Sequence, residues 1–171
     1  MSTVITPKYN NSIQTKIFAK YFCSKNMYCK FMPEYQKTLK KEFLKVKRSV
    51  SGLGLFTTKN IPRGTFIIEY TGELIPTRQT GASGGKYLFK INSRWAIDGK
   101  GRENLSRYIN HSCKPNCEVQ INRRMILIYA LRDIAEGEEL SYDYGAEYFL
   151  TLIKPNGCKC PYCQLRKLIT S

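Results

Sequence analysis

Two short segments hold side chains whose types and spacing can do chemistry. Arg107-Tyr108-Ile109-Asn110-His111-Ser112-Cys113 sets an amide, the chain's one histidine and a thiol beside aromatic and apolar neighbours. Further on, Glu139-Leu140-Ser141-Tyr142-Asp143-Tyr144-Gly145 places two tyrosines at alternate positions of a strand-like run. Side chains two apart on a strand face one way, so both phenols turn into one space and imply a lined channel.

A third segment points to a metal. Cys158-x-Cys160-x-x-Cys163 holds three thiols within six residues. They can converge on one tetrahedral zinc ion and leave its fourth position to Cys113 or Cys117. A redox dithiol is the competing reading. Seven cysteines, an odd number, argue against a fully paired extracellular disulfide scaffold. Cys23 and Cys29 read as packed small side chains.

The elements that must position these groups are mostly short strands. From residue 43 onward, strands are predicted at 43–47, 55–58, 65–70, 87–91, 95–98, 117–121, 125–130 and 139–142. Turn signals stand at Gly52-Leu53-Gly54, Pro62-Arg63-Gly64 and Ala135-Glu136-Gly137. One short helix is expected at 102–109, and the glycine-rich stretch 80–85 reads as a surface loop. Strands this short, without repeated long helices between them, oppose a doubly wound α/β sheet. Before residue 43 the chain is polar and basic, with a short helix expected at 16–25 and a helical stripe at 34–46.

With 171 residues, the chain suits one compact domain with its own core. The net charge of +15 is lopsided: residues 1–50 carry 11 Lys/Arg against two acids, the remainder 17 against 11. That basic region suits an acidic partner, with nucleosomal DNA the candidate. No apolar run is long enough to span a bilayer, and no secretory leader is apparent, so no membrane role is expected.

Ser51-Gly52-Leu53-Gly54-Leu55-Phe56 lacks the spacing of a dinucleotide or phosphate loop, and its value lies in its company. Glu69-Tyr70-Thr71-Gly72-Glu73, Tyr87-Leu88-Phe89, Ile97-Asp98-Gly99, Asn110-His111, Gly137-Glu138-Glu139-Leu140 and Tyr142-Asp143-Tyr144 follow it. In this order, over residues 43–166, the chain resembles the SET-domain protein lysine methyltransferases. Cys113 with Cys158, Cys160 and Cys163 resembles the post-SET zinc site of one subclass, although two residues separate the last pair where four are common. The resemblance implies a mainly β (β+α) fold of several small curved sheets with a C-terminal pseudoknot. It implies a SET domain at 43–148 and a zinc-binding tail at 149–171, and it leaves outside it the basic region at 1–42, where helix is expected.

It also implies cofactor and roles. S-adenosyl-L-methionine would be held by Leu53, Gly54, Arg107, Tyr108, Asn110, His111, Tyr144 and Leu165. One structural zinc would sit on the four cysteines, and Tyr144, Tyr142 and Tyr87 would line the catalytic channel. Glycine admits a ligand close to the backbone, Asn110 can donate and accept in one place, and His111 can meet a purine edge. The reaction is a direct displacement by a neutral lysine amine, driven by positioning in a dry site with no metal at the reacting centre. A tyrosine at position 142 crowds the amine and implies mono- or dimethylation. The implied substrate is a protein lysine, in a histone tail, and the implied location is the nucleus or chromatin, a host's if the chain is viral or a secreted effector. The leading alternative is a non-catalytic SET-like chromatin or histone-binding module; a small zinc nucleic-acid-binding protein is the other.

Overall fold

The computed structural model describes residues 39–80 and 87–170, so the helix expected at 16–25, residues 34–38 of the stripe at 34–46, Cys23, Cys29 and most of the glycine-rich stretch lie outside them. The described chain is mostly β structure in four small sheets, with short helical pieces between and after them.

The first sheet is the hairpin β1 (Leu44–Ser49) and β2 (Gly52–Thr57), closed at the pair Ser49 and Gly52. Gly52 takes φ +114°, which a side chain would resist, and Leu53 and Gly54 follow inside the strand. The turn signal at 52–54 therefore sits one step late, since Val50 and Ser51 make the bend. Upstream, the helical stripe gives way to one 3-10 turn, Lys41–Phe43, before β1 begins. The Phe43 carbonyl accepts from Thr58 N–H at 2.8 Å, which draws the chain into the hairpin instead of another helical turn.

A second sheet has the order β3 (Phe66–Tyr70), β9 (Met125–Ala130), β8 (Cys117–Asn122), all antiparallel. Central β9 reads as an unbroken apolar run because Ile126 to Ala130 are all buried. A third sheet has the order β4 (Glu73–Pro76), β6 (Trp95–Asp98), β5 (Leu88–Lys90). Strand β4 was not anticipated; it ends in Pro76, which an edge strand tolerates. Leu55, Ile61, Ile128, Ile134 and Leu140, all at most 1% exposed, form a core to which these sheets contribute. Burial of each such side chain stabilises by about 1.5–3 kcal/mol.

The helix expected at 102–109 shrinks to a 3-10 turn at Leu105–Tyr108. Buried Asn104 donates to the Gly99 carbonyl at 3.2 Å and accepts from Thr71 N–H at 3.3 Å, while the Ser106 hydroxyl donates to the Glu69 carbonyl at 3.1 Å. Such side-chain bonds to distant backbone compete with a helix. The turn delivers the chain to β7 (Asn110–His111), which pairs in parallel with β10 (Ser141–Tyr142). After β10 come a helical turn α1 (Ala146–Tyr148), a π-helical stretch Phe149–Ile153 and a 3-10 turn Lys154–Asn156. Gly157, at φ +74°, then redirects the chain, and helix α2 (Pro161–Thr170) ends the described tail. No described helix is long and apolar enough to cross a membrane.

Candidate active site

Strands β7 and β10 stand side by side at the wall of a cavity of about 860 Å³. Register places Asn110 against Ser141 and His111 against Tyr142, so the two distant segments meet in one place. The Tyr142 and Tyr144 rings lie 4.9 Å apart, as two side chains turned to one face should. The Tyr144 hydroxyl donates to the Ile109 carbonyl at 2.7 Å, which fixes its hydrogen and leaves its lone pairs to face elsewhere. Tyr142 is 6% exposed, and its hydroxyl has no hydrogen-bond partner among the described residues. Burial pushes both phenols up from their ordinary value, so both stay neutral near pH 7.

Further aromatic walls were not anticipated. Phe89 stacks between Tyr70 at 5.3 Å and Tyr142 at 5.9 Å, and Tyr148 meets Tyr144 edge-on at 5.0 Å. Tyr70 belonged to a quoted motif, yet only β3 packing shows that it borders this cavity. Tyr87 also lines the cavity, with the Arg107 guanidinium 3.7 Å over its ring and 5.3 Å from that of Tyr108. Arg107 donates to the Lys100 carbonyl, while its Nε is buried without a partner among the described residues.

On the other side, Asn110 spends both amide hydrogens on the protein. It donates to the Leu53 carbonyl at 3.0 Å and to Glu139 Oε1 at 2.7 Å, leaving Oδ1 as an acceptor. Glu139 Oε2 accepts from the Ser49 hydroxyl at 2.7 Å, so one carboxylate ties the β1–β2 hairpin to β7. Gly54 makes room for it: a Cβ there would overlap the carboxylate, with Cδ at 2.8 Å and Ser49 Cβ at 3.0 Å. Gly54→Ala should cost about 1–3 kcal/mol in denaturant unfolding through overpacking. Adding Glu139→Ala should erase most of the extra cost, and a fully additive double mutant would exclude the clash.

Asn116, 2% exposed, organises the approach to β10. It donates to Glu138 Oε1 at 3.0 Å and to the Glu139 carbonyl at 2.8 Å, and accepts from Ser141 N–H at 2.8 Å. Leu53 is 52% exposed at the cavity's edge; Leu165, on α2, is 59% exposed and outside the lining residues.

Four thiols converge beside this cavity. The sulfurs of Cys113, Cys158, Cys160 and Cys163 all lie within 4.8 Å of one another, a donor set that can bind one metal ion. Cys158 and Cys160 also line the cavity. Of the two candidates for the fourth position, Cys113 is in the cluster; Cys117 is 1% exposed in β8, its thiol facing Asn116 Oδ1 at 3.3 Å. Burial pushes the Cys117 thiol up to about 12. Burial likewise raises Cys113, whereas hydrogen bonds from the neighbouring backbone and thiols outweigh burial at Cys160 and lower it to about 7. Gathering thiols this closely favours a cation that replaces their protons.

The small antiparallel sheets, the parallel β7–β10 contact and the four-thiol tail define a class. A SET domain profile covers residues 52–145, more than half of the chain, and the chain belongs to the SET domain family. It is 42% identical over 117 residues to the histone-lysine N-methyltransferase trithorax of Drosophila virilis, covering 61% of this chain and 3% of that protein. It is 38% identical over 139 residues to the H3 lysine-4 specific histone-lysine N-methyltransferase of Chaetomium globosum, covering 72% and 13%. The corresponding Schizosaccharomyces pombe enzyme is 41% identical over 125 residues, covering 66% and 14%. The chain thus spans only a small fraction of the length of these relatives.

Proposed function

We propose that this protein is an S-adenosylmethionine-dependent protein-lysine N-methyltransferase that acts on a histone tail and adds one or two methyl groups. The observation that carries the reading is the meeting of Asn110 and His111 with Tyr142 and Tyr144 across the β7–β10 pair at one cavity. The named activities of the relatives make histone H3 the first substrate to test, and lysine 4 its first position.

The residues present suit the cofactor. The Arg107 Nε, without a partner among the described residues, and the uncommitted Asn110 Oδ1 offer one donor and one acceptor to a zwitterionic ligand. Leu53 lines the same wall, and Gly54, next to it in β2 but outside the lining, is proposed to bring its backbone close. Tyr108, beneath Arg107, and His111 extend this wall, and Leu165 is proposed to complete it from the tail. S-adenosylmethionine, when bound, supplies an electrophilic methyl carbon on a positively charged sulfur. The rings of Tyr142, Phe89 and Tyr87 exclude water from an incoming lysine, which disfavours its charged form. Tyr144, its hydroxyl hydrogen held on Ile109, presents oxygen lone pairs to the amine and stays neutral because burial disfavours a phenolate. It therefore orients and stabilises instead of acting as a base. The Tyr142 hydroxyl, without a partner among the described residues, occupies space beside the amine, which supports a low methylation state.

The four cysteines are proposed to hold one structural zinc, in a post-SET tail spanning 149–171 behind a SET domain at 43–148. The parallel pairing of β10 with β7 supports a pseudoknot, in which the C-terminal segment threads past an earlier loop. A nuclear or chromatin location follows from a histone substrate, in a host cell if the chain comes from a virus or a secreted effector. The basic residues 1–42 are proposed to meet nucleosomal DNA, which would offset repulsion between a +15 chain and a basic tail.

Calorimetry tests the cofactor assignment. The folded, zinc-loaded chain should bind S-adenosylmethionine with one-to-one stoichiometry. Asn110→Ala should weaken it about 10–100-fold, the worth of a hydrogen bond to a charged group. Binding without methyl transfer to any histone in a mass-spectrometric panel would favour the non-catalytic chromatin-binding alternative. No binding at all would sink the enzyme reading.

A further inference from the structure

Both nitrogens of the His111 ring are engaged, and they reach different parts of the molecule. Nδ1 lies 3.2 Å from the main-chain nitrogen of Tyr144, and Nε2 lies 3.4 Å from Cys113 Sγ. The side chain is 6% exposed, wedged between the Tyr144 ring at 5.5 Å and the Phe149 ring at 5.4 Å. A main-chain N–H can only donate, so Nδ1 must be the bare nitrogen that accepts. The neutral ring then carries its hydrogen on Nε2, directed at the Cys113 sulfur. Asp143 Oδ1, 3.6 Å from Nδ1, is too distant to compete by a hydrogen bond.

We infer that His111 is a positioning residue, a single imidazole that joins the four-thiol cluster to the main chain of Tyr144, so that occupancy of the metal site sets where the Tyr144 hydroxyl lies. The inference rests on the proposed zinc site and on the proposed role of Tyr144. Four thiolates around a divalent cation keep excess negative charge on sulfur, and a donated N–H relieves it while fixing the ring. At the other end, Tyr144 is held at two points, its amide by His111 and its hydroxyl by Ile109. With its ring wedged between two others, His111 has no room to swing without moving Tyr144. Emptying the cluster leaves Cys113 in place but takes away the excess negative charge to which Nε2–H donates, which weakens that bond and loosens one of those two points.

The chain's single histidine makes the test direct. In the zinc-loaded 171-residue chain labelled with nitrogen-15 histidine, one pair of ring signals should appear, a protonated Nε2 and a bare Nδ1. The Nε2 signal should move when cadmium replaces zinc. Two substitutions then separate the ends. His111→Asn keeps an acceptor near Nδ1 but cannot reach the sulfur, so zinc release to a chelator should quicken about 10-fold, the usual effect of losing such an outer partner. His111→Gln places an amide donor near Nε2 but leaves the Tyr144 N–H unpaired, so zinc release should stay near wild type while kcat falls more than in the Asn variant. Rapid tautomer averaging, a protonated Nδ1, or a ring indifferent to the metal overturns the inference alone. A wild-type chain that takes up no zinc overturns the zinc reading and the inference with it. The ring signals belong to the unsubstituted protein, so they decide even if a variant fails to fold.

Discussion

Tyr144→Phe should lower kcat about 10²–10³-fold, the usual loss when one preorganised transition-state contact is removed. S-adenosylmethionine affinity should change little, because the hydroxyl acts while the methyl is in transit. The substitution deletes the one oxygen that Ile109 holds in place, and keeps the ring between Tyr142 and Tyr148. Tyr142→Phe should behave differently. Its hydroxyl has no partner among the described residues, so the fold loses little, and a bulkier methylated amine gains room. Lysine turnover should survive while products shift from mono- or dimethyl toward trimethyl. Two oxygen deletions two residues apart with opposite outcomes cannot arise from general unfolding, which damages both alike. Time-resolved mass spectrometry on one H3 peptide decides between them. An unchanged methyl distribution in active Tyr142→Phe protein would remove this position from control of product multiplicity.

Stripping the metal should be the other large perturbation. Elemental analysis should give one zinc per chain, retained in Cys117→Ser and lost in Cys113→Ser, since only Cys113 is within reach of the other three sulfurs. Chelation should lower activity and cofactor affinity at least about 10-fold, restored by added zinc, because Cys158 and Cys160 form part of the cavity wall. Circular dichroism should meanwhile keep its β signature, since the core around Leu55 and Ile128 holds no cluster residue. Thiols must lose protons to bind, so metal retention should weaken as pH falls. Active protein that is free of zinc would refute the site.

The parts of the site that were legible in the sequence are those gathered within a few residues. Asn110 and His111 share one strand, Tyr142 and Tyr144 alternate on one short run, and Cys158, Cys160 and Cys163 crowd into one turn of chain. Contacts across long stretches left no comparable trace. Nothing in Gly54 announces that Glu139 fills the space of its missing Cβ, and Asn116 gives no sign that it fixes Ser141. Strand β7 is two residues long, too short for any periodicity to register. The pattern at 102–109 misled for a definite reason, because Asn104 and Ser106 spend their side chains on distant backbone where a helix was expected. The apolar strands, such as β9, were readable because full burial writes an unbroken apolar run.

The two-residue parallel contact between β7 and β10 also bears on how the chain assembles. Parallel strands cannot be joined by a tight turn, and the connection between these two runs through the whole β8–β9 hairpin. So few paired residues cannot repay the entropy of closing that loop by themselves. The hairpin must therefore dock first, and Asn110 comes to face Ser141 only in the closing steps of folding. Contacts of such high sequence separation form slowly, which makes competence for cofactor the last property the chain acquires as it folds. On mild denaturation, it should be the first to be lost.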